Sequence, residues 1–179
     1  MAASLQGKRV AMLITNGFEQ AELTGPKEAL EQAGVMAHIV SDEMGEIRGW
    51  TGTEPADRFK VDLTFDAARL DDYAAVVLPG GVINADAIRT HGKAQAFVRQ
   101  ASAAGLPIAA ICHGAWLLIS ADLVAGKTMT SWPSLRDDLK NAGAHWVDQE
   151  VVVDGALISS RKPSDIPAFN QALLKMLAS

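Results

Sequence analysis

The single cysteine of the chain, Cys112, lies where a nucleophile would be exposed. It is the middle residue of the segment AICHG (residues 110–114), which follows an apolar run and precedes a helical pattern. Small residues two positions before and after a nucleophile permit the tight strand-to-helix turn called a nucleophile elbow. The N–H groups and dipole of the following helix would favour the thiolate. A buried, inert cysteine is the alternative, but this position favours a reactive thiol.

An acidic side chain is expected at the same edge of the sheet, because Glu19 lies in the loop after the first predicted strand. A protonated carboxyl beside a thiol can donate a hydrogen bond to the thiolate, and a carboxyl with a raised pKa can shuttle protons to a bound carbonyl compound. The alternative for Glu19 is a solvated acid in the first turn of a helix. That solvated position is the interpretation we favour for Glu22.

Two glycines, Gly80 and Gly81, follow another predicted strand. Their backbone can approach a ligand closely and present N–H groups to an oxyanion, with the N–H of His113 as a second donor. Gly114, the last residue of the elbow, is added to this predicted oxyanion and substrate-binding set. The alternative is that glycine is needed only because the turn has a positive φ, and this requirement would apply whether or not the turn has a function.

The four histidines of the chain are scattered. His113 could act as the general base for Cys112, because a sharp turn can splay adjacent side chains. His38 is predicted to be structural, and His91 and His145 to be solvated. Because no histidines have the paired spacing of metal ligands, the sequence predicts no metal site, and it indicates no cofactor.

Four apolar runs predict buried strands, at residues 9–14, 35–40, 74–78 and 107–111. They alternate with helical patterns, which is typical of an α/β fold with a mainly parallel sheet covered on both faces. Asp154-Gly155 predicts a small antiparallel hairpin, and residues 43–65 are expected to form short strands or loops. Ligands bind at the carboxyl ends of parallel strands. Without an internal repeat or linker, residues 1–179 are expected to form one domain.

Composition excludes several classes of protein. The 179 residues are 49% hydrophobic and 21% charged, so a disordered chain is excluded. The net charge of −5 and the lack of a basic cluster argue against binding to nucleic acid. No apolar stretch approaches the ~18 residues that span a membrane. One cysteine forms no internal disulfide, and no signal peptide is recognisable, so we expect a cytoplasmic protein.

The chain resembles the PfpI family over nearly its whole length. The segments that carry the resemblance are 17–19, 78–81, 110–114, 130–133, 141–144 and 151–155, with Ser160, Arg161, Pro163 and Asp165. The resemblance implies a flavodoxin-like three-layer α/β sandwich of the class I glutamine-amidotransferase-like superfamily, assembled as a homodimer or as a hexamer built from dimers. It also implies cysteine-dependent activity, with Cys112 as the nucleophile, His113 as the family histidine and Glu19 as the conserved acid.

One position departs from the family pattern. Peptidase-type members place a glutamate after the Pro-Gly-Gly turn, where it completes a triad from a neighbouring subunit. Here Asp86 is the only acid nearby, in a loop one residue longer. A helix N-terminal acid is the alternative for Asp86. True glutaminases need a catalytic histidine near the C-terminus, and no histidine follows His145, so that activity is excluded.

Three functions remain. The leading one is a stress-related hydrolase of the glyoxalase or protein-deglycase type, in which Cys112 attacks a reactive aldehyde or its adduct on a protein and Glu19 moves protons. The second is an intracellular cysteine peptidase that uses Cys112, His113 and Asp86 of a neighbouring subunit. The third is a redox-sensing or chaperone-like stress protein, in which Cys112 is oxidised to a sulfinate without turnover.

Overall fold

In the computed structural model, which describes residues 4–179, twelve strands and six α-helices are formed. The strands are β1 (Arg9–Leu13), β2 (Phe18–Glu19), β3 (Met36–Ser41), β4 (Glu46–Thr51), β5 (Glu54–Lys60), β6 (Leu63–Thr64), β7 (Ala75–Leu78), β8 (Ile108–Ile111), β9 (Thr128–Met129), β10 (His145–Trp146), β11 (Val151–Asp154) and β12 (Leu157–Ser160). The helices are α1 (Gln20–Gln32), α2 (Val82–Arg89), α3 (Gly92–Ala103), α4 (Ala115–Ser120), α5 (Arg136–Asn141) and α6 (Ile166–Leu177). None of these helices is long and apolar enough to cross a membrane.

Seven strands form the central sheet, in the spatial order β11-β12-β8-β7-β1-β3-β6. All neighbouring strands are parallel except β11, which pairs antiparallel with β12 around the turn at Gly155. The four predicted core strands are therefore confirmed, with their ends shifted by at most one residue, and so is the antiparallel hairpin. This is the α/β fold with a mainly parallel sheet that the sequence predicts.

Both faces of the sheet are covered, because successive side chains of each strand point to opposite faces. Met12 and Val77 pack with α1 and α6, whereas Leu13 and Val76 pack with the layer that contains α3 and α4. All four side chains are at most 1% exposed. Burying one such side chain contributes about 1.5–3 kcal/mol. This two-sided burial is why the strands are apolar throughout.

A second, smaller sheet lies beside the loop that follows β1. Strands β4 and β5 form an antiparallel hairpin within the segment expected to be short strands or loops, and β4 pairs in parallel with β2. The hairpin is tied to the loop after β1, since Gly17 N donates to Arg48 O at 2.9 Å and Arg48 N donates to Asn16 Oδ1 at 2.8 Å. It thereby brings Trp50 and Gly52 to the carboxyl edge of the central sheet.

Candidate active site

A pocket of about 410 Å³ opens at the carboxyl ends of β1, β7 and β8, where the sequence predicts a site. Its walls come from the loops that follow these strands, from the β4–β5 hairpin and from two later loops. The lining residues are Gly17, Glu19, Glu22, Trp50, Gly52, Gly81, Val82, Ile83, Cys112, His113, Trp132 and Pro163. Parallel strands that end at one edge therefore bring residues distant in the chain to one place.

Cys112 occupies the predicted elbow between β8 and α4. Its φ is +60°, in the left-handed region that residues other than glycine seldom adopt. Cys112 to Gly114 form a 3₁₀ turn before α4 begins at Ala115. The strained backbone turns the side chain toward the pocket, although the residue is only 6% exposed.

The surroundings of the Cys112 sulfur act on its pKa in both directions. Burial raises the pKa of the thiol, and the nearby Glu22 carboxyl raises it further when ionised. The backbone N–H groups of Gly81 and His113 contact the sulfur and lower the pKa. The net direction is upward, because the effect of burial outweighs that of the two N–H groups. The two N–H groups are nevertheless the pair that the sequence predicts as oxyanion donors.

Glu22, and not Glu19, is the acid beside the thiol. It is fully buried, so its interpretation as a solvated acid is wrong. Glu22 Oε2 accepts a hydrogen bond of 2.7 Å from Gly80 N, while Oε1 has no hydrogen-bond partner among residues 4–179. Burial raises the pKa of Glu22 from 4.5 to about 8, against the lowering effects of Gly80 N–H and Cys112. The carboxyl is therefore mostly protonated at neutral pH.

Glu19 lies at the pocket wall, one helical turn before Glu22. It is partly exposed, and its Oε2 accepts a hydrogen bond of 3.1 Å from Gly52 N in the turn of the β4–β5 hairpin. The structure thus brings Glu19 to the pocket but gives the position beside the sulfur to Glu22. The physical reason is helical phase, because Glu22 shares the buried face of α1 with Pro26 and Leu30, four and eight residues on.

The predicted glycines bring the three loops together. A Cβ added at Gly80 would lie 2.5 Å from Glu22 Oε2 and 2.7 Å from Cys112 Cβ, so only glycine fits there. Gly81 has a φ of +82° and places its N–H at the sulfur. The Gly80 N–H is bound by Glu22 and is not an oxyanion donor in this arrangement. Gly114 packs directly against the carbonyl of Leu78, so its place is structural.

His113 lies beside the sulfur as the sequence predicts. Its Nδ1 is 3.3 Å from Cys112 Sγ, and the residue is buried. The ring stacks on Trp132, with centroids 5.9 Å apart, and meets Trp116 edge-on at 5.2 Å. Burial lowers the pKa of His113 and so favours the neutral imidazole. In the tautomer that carries its proton on Nε2, Nδ1 accepts a proton from the sulfur.

Asp86 is not brought to this pocket within the chain. It lies on the exposed side of α2, a helix that starts directly after Gly81 in the segment expected to be a loop. No carboxylate among residues 4–179 hydrogen-bonds to His113. A triad completed by Asp86 of a neighbouring subunit stays a prediction.

Asn84 is a site residue that the sequence analysis missed. It is fully buried in the first turn of α2. Its Oδ1 accepts hydrogen bonds from Thr15 N at 2.7 Å and from Thr15 Oγ1 at 3.0 Å, and its Nδ2 donates to Gly80 O at 2.9 Å and Pro79 O at 3.2 Å. One amide therefore fixes the loop after β1 against the turn after β7. The only signal in the sequence is a polar residue beside an apolar helix face.

The residues of the pocket are suited to covalent chemistry without a metal-ligand set. No group of three or more His, Cys, Asp or Glu side chains in the described part of the chain is arranged to hold a metal ion. The sheet and the site together define an α/β protein with a cysteine at a strand-to-helix elbow, beside a buried carboxyl and two backbone N–H donors.

Comparison with known proteins agrees with this class. The model of the DJ-1/PfpI family matches residues 8–176, and the chain belongs to that family. A deglycase from Pyrococcus horikoshii is 42% identical over 169 residues, which cover 94% of this chain and 99% of that protein. The deglycase PfpI from Pyrococcus furiosus is 41% identical over the same shares of both chains.

Solved structures show the same fold. The DJ-1/ThiJ/PfpI-like and ferritin-like two-domain protein from Anabaena variabilis has a TM-score of 0.89 at 36% identity. The match covers 95% of this chain but 48% of that one, so this chain corresponds to about half of the two-domain protein. Drosophila melanogaster DJ-1beta has a TM-score of 0.87 at 28% identity, covering 97% and 91% of the two chains. The flavodoxin-like sandwich implied by the resemblance is confirmed.

Proposed function

We propose that this protein is a cysteine-dependent enzyme that detoxifies reactive 2-oxoaldehydes and removes them from protein side chains, with Cys112 as the nucleophile and Glu22 as the proton shuttle. The observation that carries the proposal is the position of the Cys112 sulfur, which faces an open pocket between two N–H donors and a buried carboxyl. The relatives named deglycases, which are 40–42% identical, support the same class of reaction.

The first step is the addition of Cys112 to the aldehyde carbon. The new C–S bond forms as the thiol proton passes to Nδ1 of His113, which is 3.3 Å from the sulfur. The protonated Glu22 gives its proton to the aldehyde oxygen, producing a hemithioacetal. The N–H groups of Gly81 and His113 stabilise the negative charge that develops on that oxygen during attack.

The second step converts the hemithioacetal into a thioester by moving protons. The Glu22 carboxylate removes the hydrogen of the former aldehyde carbon as a proton, and His113 returns a proton to the oxygen of the neighbouring carbonyl. Glu22 then delivers its proton to the neighbouring carbon, and the remaining hydroxyl loses its proton to His113 as the thioester carbonyl forms. Water cleaves the thioester, so methylglyoxal and one water become lactate, and Cys112 regains its proton. No external oxidant or reductant is needed.

A test of this function measures lactate formation from methylglyoxal and loss of the adduct from a glycated arginine derivative. Cys112→Ser should abolish both reactions, and Glu22→Gln should lower kcat about 10²- to 10⁴-fold, the usual contribution of a general acid–base. Glu28→Gln is the matched control, because Glu28 is an exposed glutamate on the same helix. Full activity of the Cys112→Ser variant would refute the proposal.

The peptidase alternative uses the same 3.3 Å contact between Cys112 and His113, with the imidazole as the general base for the thiol. It additionally requires self-association, because an acid must reach His113 from a neighbouring subunit. Asp86→Asn separates the two functions: it should abolish peptide cleavage under this alternative and leave conversion of methylglyoxal intact. Measuring both rates together with the oligomeric mass decides between them.

A further inference from the structure

The pocket lining formed by the described residues contains acidic side chains but no lysine or arginine. Among residues 4–179, two glutamates line the pocket, Glu19 and Glu22. Burial raises the pKa of Glu22 to about 8, so this side chain is mostly neutral at pH 7. The Glu19 carboxylate is therefore the charge that a substrate meets at the pocket wall.

Contacts of both its side chain and its backbone hold Glu19 at the pocket wall. Its Oε2 is held by Gly52 N at 3.1 Å. Its backbone N is next to Gly81, since a Cβ added there would lie 2.5 Å from it, and the Gly81 N–H contacts the Cys112 sulfur. The negative charge of Glu19 adds a small upward contribution to the pKa of Glu22, after the larger effect of burial.

Two basic residues, Arg161 and Lys162, directly precede the lining residue Pro163, and neither of them lines the pocket. Arg161, two residues before Pro163, donates to Asp165 Oδ2 at 2.9 Å and to Asp148 Oδ1 at 2.8 Å. The two carboxylates offset the charge of Arg161, and the Lys162 side chain is not part of the pocket lining. The remaining large lining side chains are apolar or uncharged, and they are Trp50, Val82, Ile83, Trp132 and Pro163. Apolar walls screen a charge less than water does.

We propose that Glu19 sets the charge preference of this pocket, favouring uncharged and cationic carbonyl compounds over those with a carboxylate beside the reacting carbon. The favoured class comprises 2-oxoaldehydes and their adducts on arginine side chains. The disfavoured class comprises glyoxylate and related oxo acids, whose carboxylate would be placed in the same small pocket as Glu19. This specificity role rests on the proposed function, but its physical basis is the field of one carboxylate.

Alkylation of Cys112 tests the charge preference without requiring turnover. Iodoacetamide and iodoacetate have nearly the same size and attack the same sulfur, so the ratio of their rates cancels the thiolate fraction and reports the charge effect. At pH 7, Glu19→Gln should lower the iodoacetamide-to-iodoacetate ratio roughly fivefold, the factor expected for one unit charge a few ångströms away in a partly aqueous pocket. Glutamine keeps an oxygen for the Gly52 N–H. Glu28→Gln, exposed on the same helix, should leave the ratio unchanged.

A second measurement compares kcat/KM for methylglyoxal and glyoxylate in the wild type and in Glu19→Gln. The ratio of the two values should also fall roughly fivefold in the variant, and it should fall in the wild type as salt screens the carboxylate. An unchanged alkylation ratio in Glu19→Gln refutes the charge role while leaving the proposed function intact. A changed ratio in a protein that converts no aldehyde refutes only the function. No alkylation of the folded protein by either reagent refutes both.

Discussion

Replacing Glu22 by glutamine should change how the stability of this protein depends on pH. In the folded protein, burial raises the pKa of Glu22 from its ordinary value of 4.5 to about 8. Between these two values the folded state holds a proton that the unfolded state has lost. Unfolding therefore becomes easier as pH rises, by about 1.4 kcal/mol per pH unit, and this contribution to stability is fully present only below pH 4.5.

Glutamine does not titrate, so the variant lacks this slope. The difference in the free energy of unfolding, wild type minus Glu22→Gln, should fall by roughly 3 kcal/mol between pH 5 and pH 7.5. Other titrating groups, such as His113, cancel in the difference. Urea unfolding at four pH values measures it, with Glu28→Gln as the control on the same helix. Parallel pH profiles for the wild type and Glu22→Gln would refute the assignment of Glu22 as a buried, protonated acid.

Three further substitutions test the packing around the site, each measured by urea unfolding. Gly80→Ala should destabilise the protein by about 1–3 kcal/mol, because the new Cβ would lie 2.5 Å from Glu22 Oε2, whereas Gly92→Ala, with no atom within 4 Å of the new Cβ, should not. Asn84→Ala should cost about 2–4 kcal/mol, since it leaves the buried groups of two loops without hydrogen-bond partners. Arg161→Met should cost about 2–3 kcal/mol, allowing for its partial exposure, because it leaves a buried aspartate unpaired. Loss of less than about 0.5 kcal/mol in any of the three would contradict the corresponding contact.

The sequence predicts the central sheet well because its strands are buried on both faces. Runs such as residues 74–78 have no polar residue to suggest another structure, and the turn residues that follow mark where each strand ends. The elbow at Cys112 is predicted from small residues at fixed spacing, which indicate a tight turn. The observed φ of +60° at Cys112 agrees with that turn. The family resemblance adds the order of the loops around the pocket.

The parts of the site that the sequence does not predict depend on helical phase and on contacts between loops. Glu19 and Glu22 are three residues apart in the same loop-to-helix segment, and only the packing of α1 decides which carboxyl is buried beside the sulfur. Counting from the apolar residues Pro26 and Leu30 gives the correct phase, but a glutamate in the first turn of a helix suggests a solvated acid, and this is how the sequence analysis interprets Glu22. Asn84 is missed because its role depends on contacts that the sequence does not reveal. Two of its four hydrogen bonds reach Thr15, 69 residues away, and two stay within the turn after β7.

For the β4–β5 hairpin the sequence predicts only short strands or loops, without their pairing. Its residues are largely exposed, so neither strand has the apolar run that marks the central sheet. Glycine and proline within the segment also suggest turns. The hairpin nevertheless supplies Trp50 and Gly52 to the pocket.

The most direct test of the central proposal is to find the substrate on Cys112 during turnover. Samples taken from a reaction with methylglyoxal are quenched in acid, which preserves a thioester, and the peptide that contains Cys112 is analysed by mass spectrometry. We expect this peptide to carry one substrate equivalent in the wild type, and the modification to be absent from a Cys112→Ser variant that forms no lactate. Lactate formation that continues in Cys112→Ser, with modification confined to lysine and arginine side chains, would contradict covalent catalysis at Cys112.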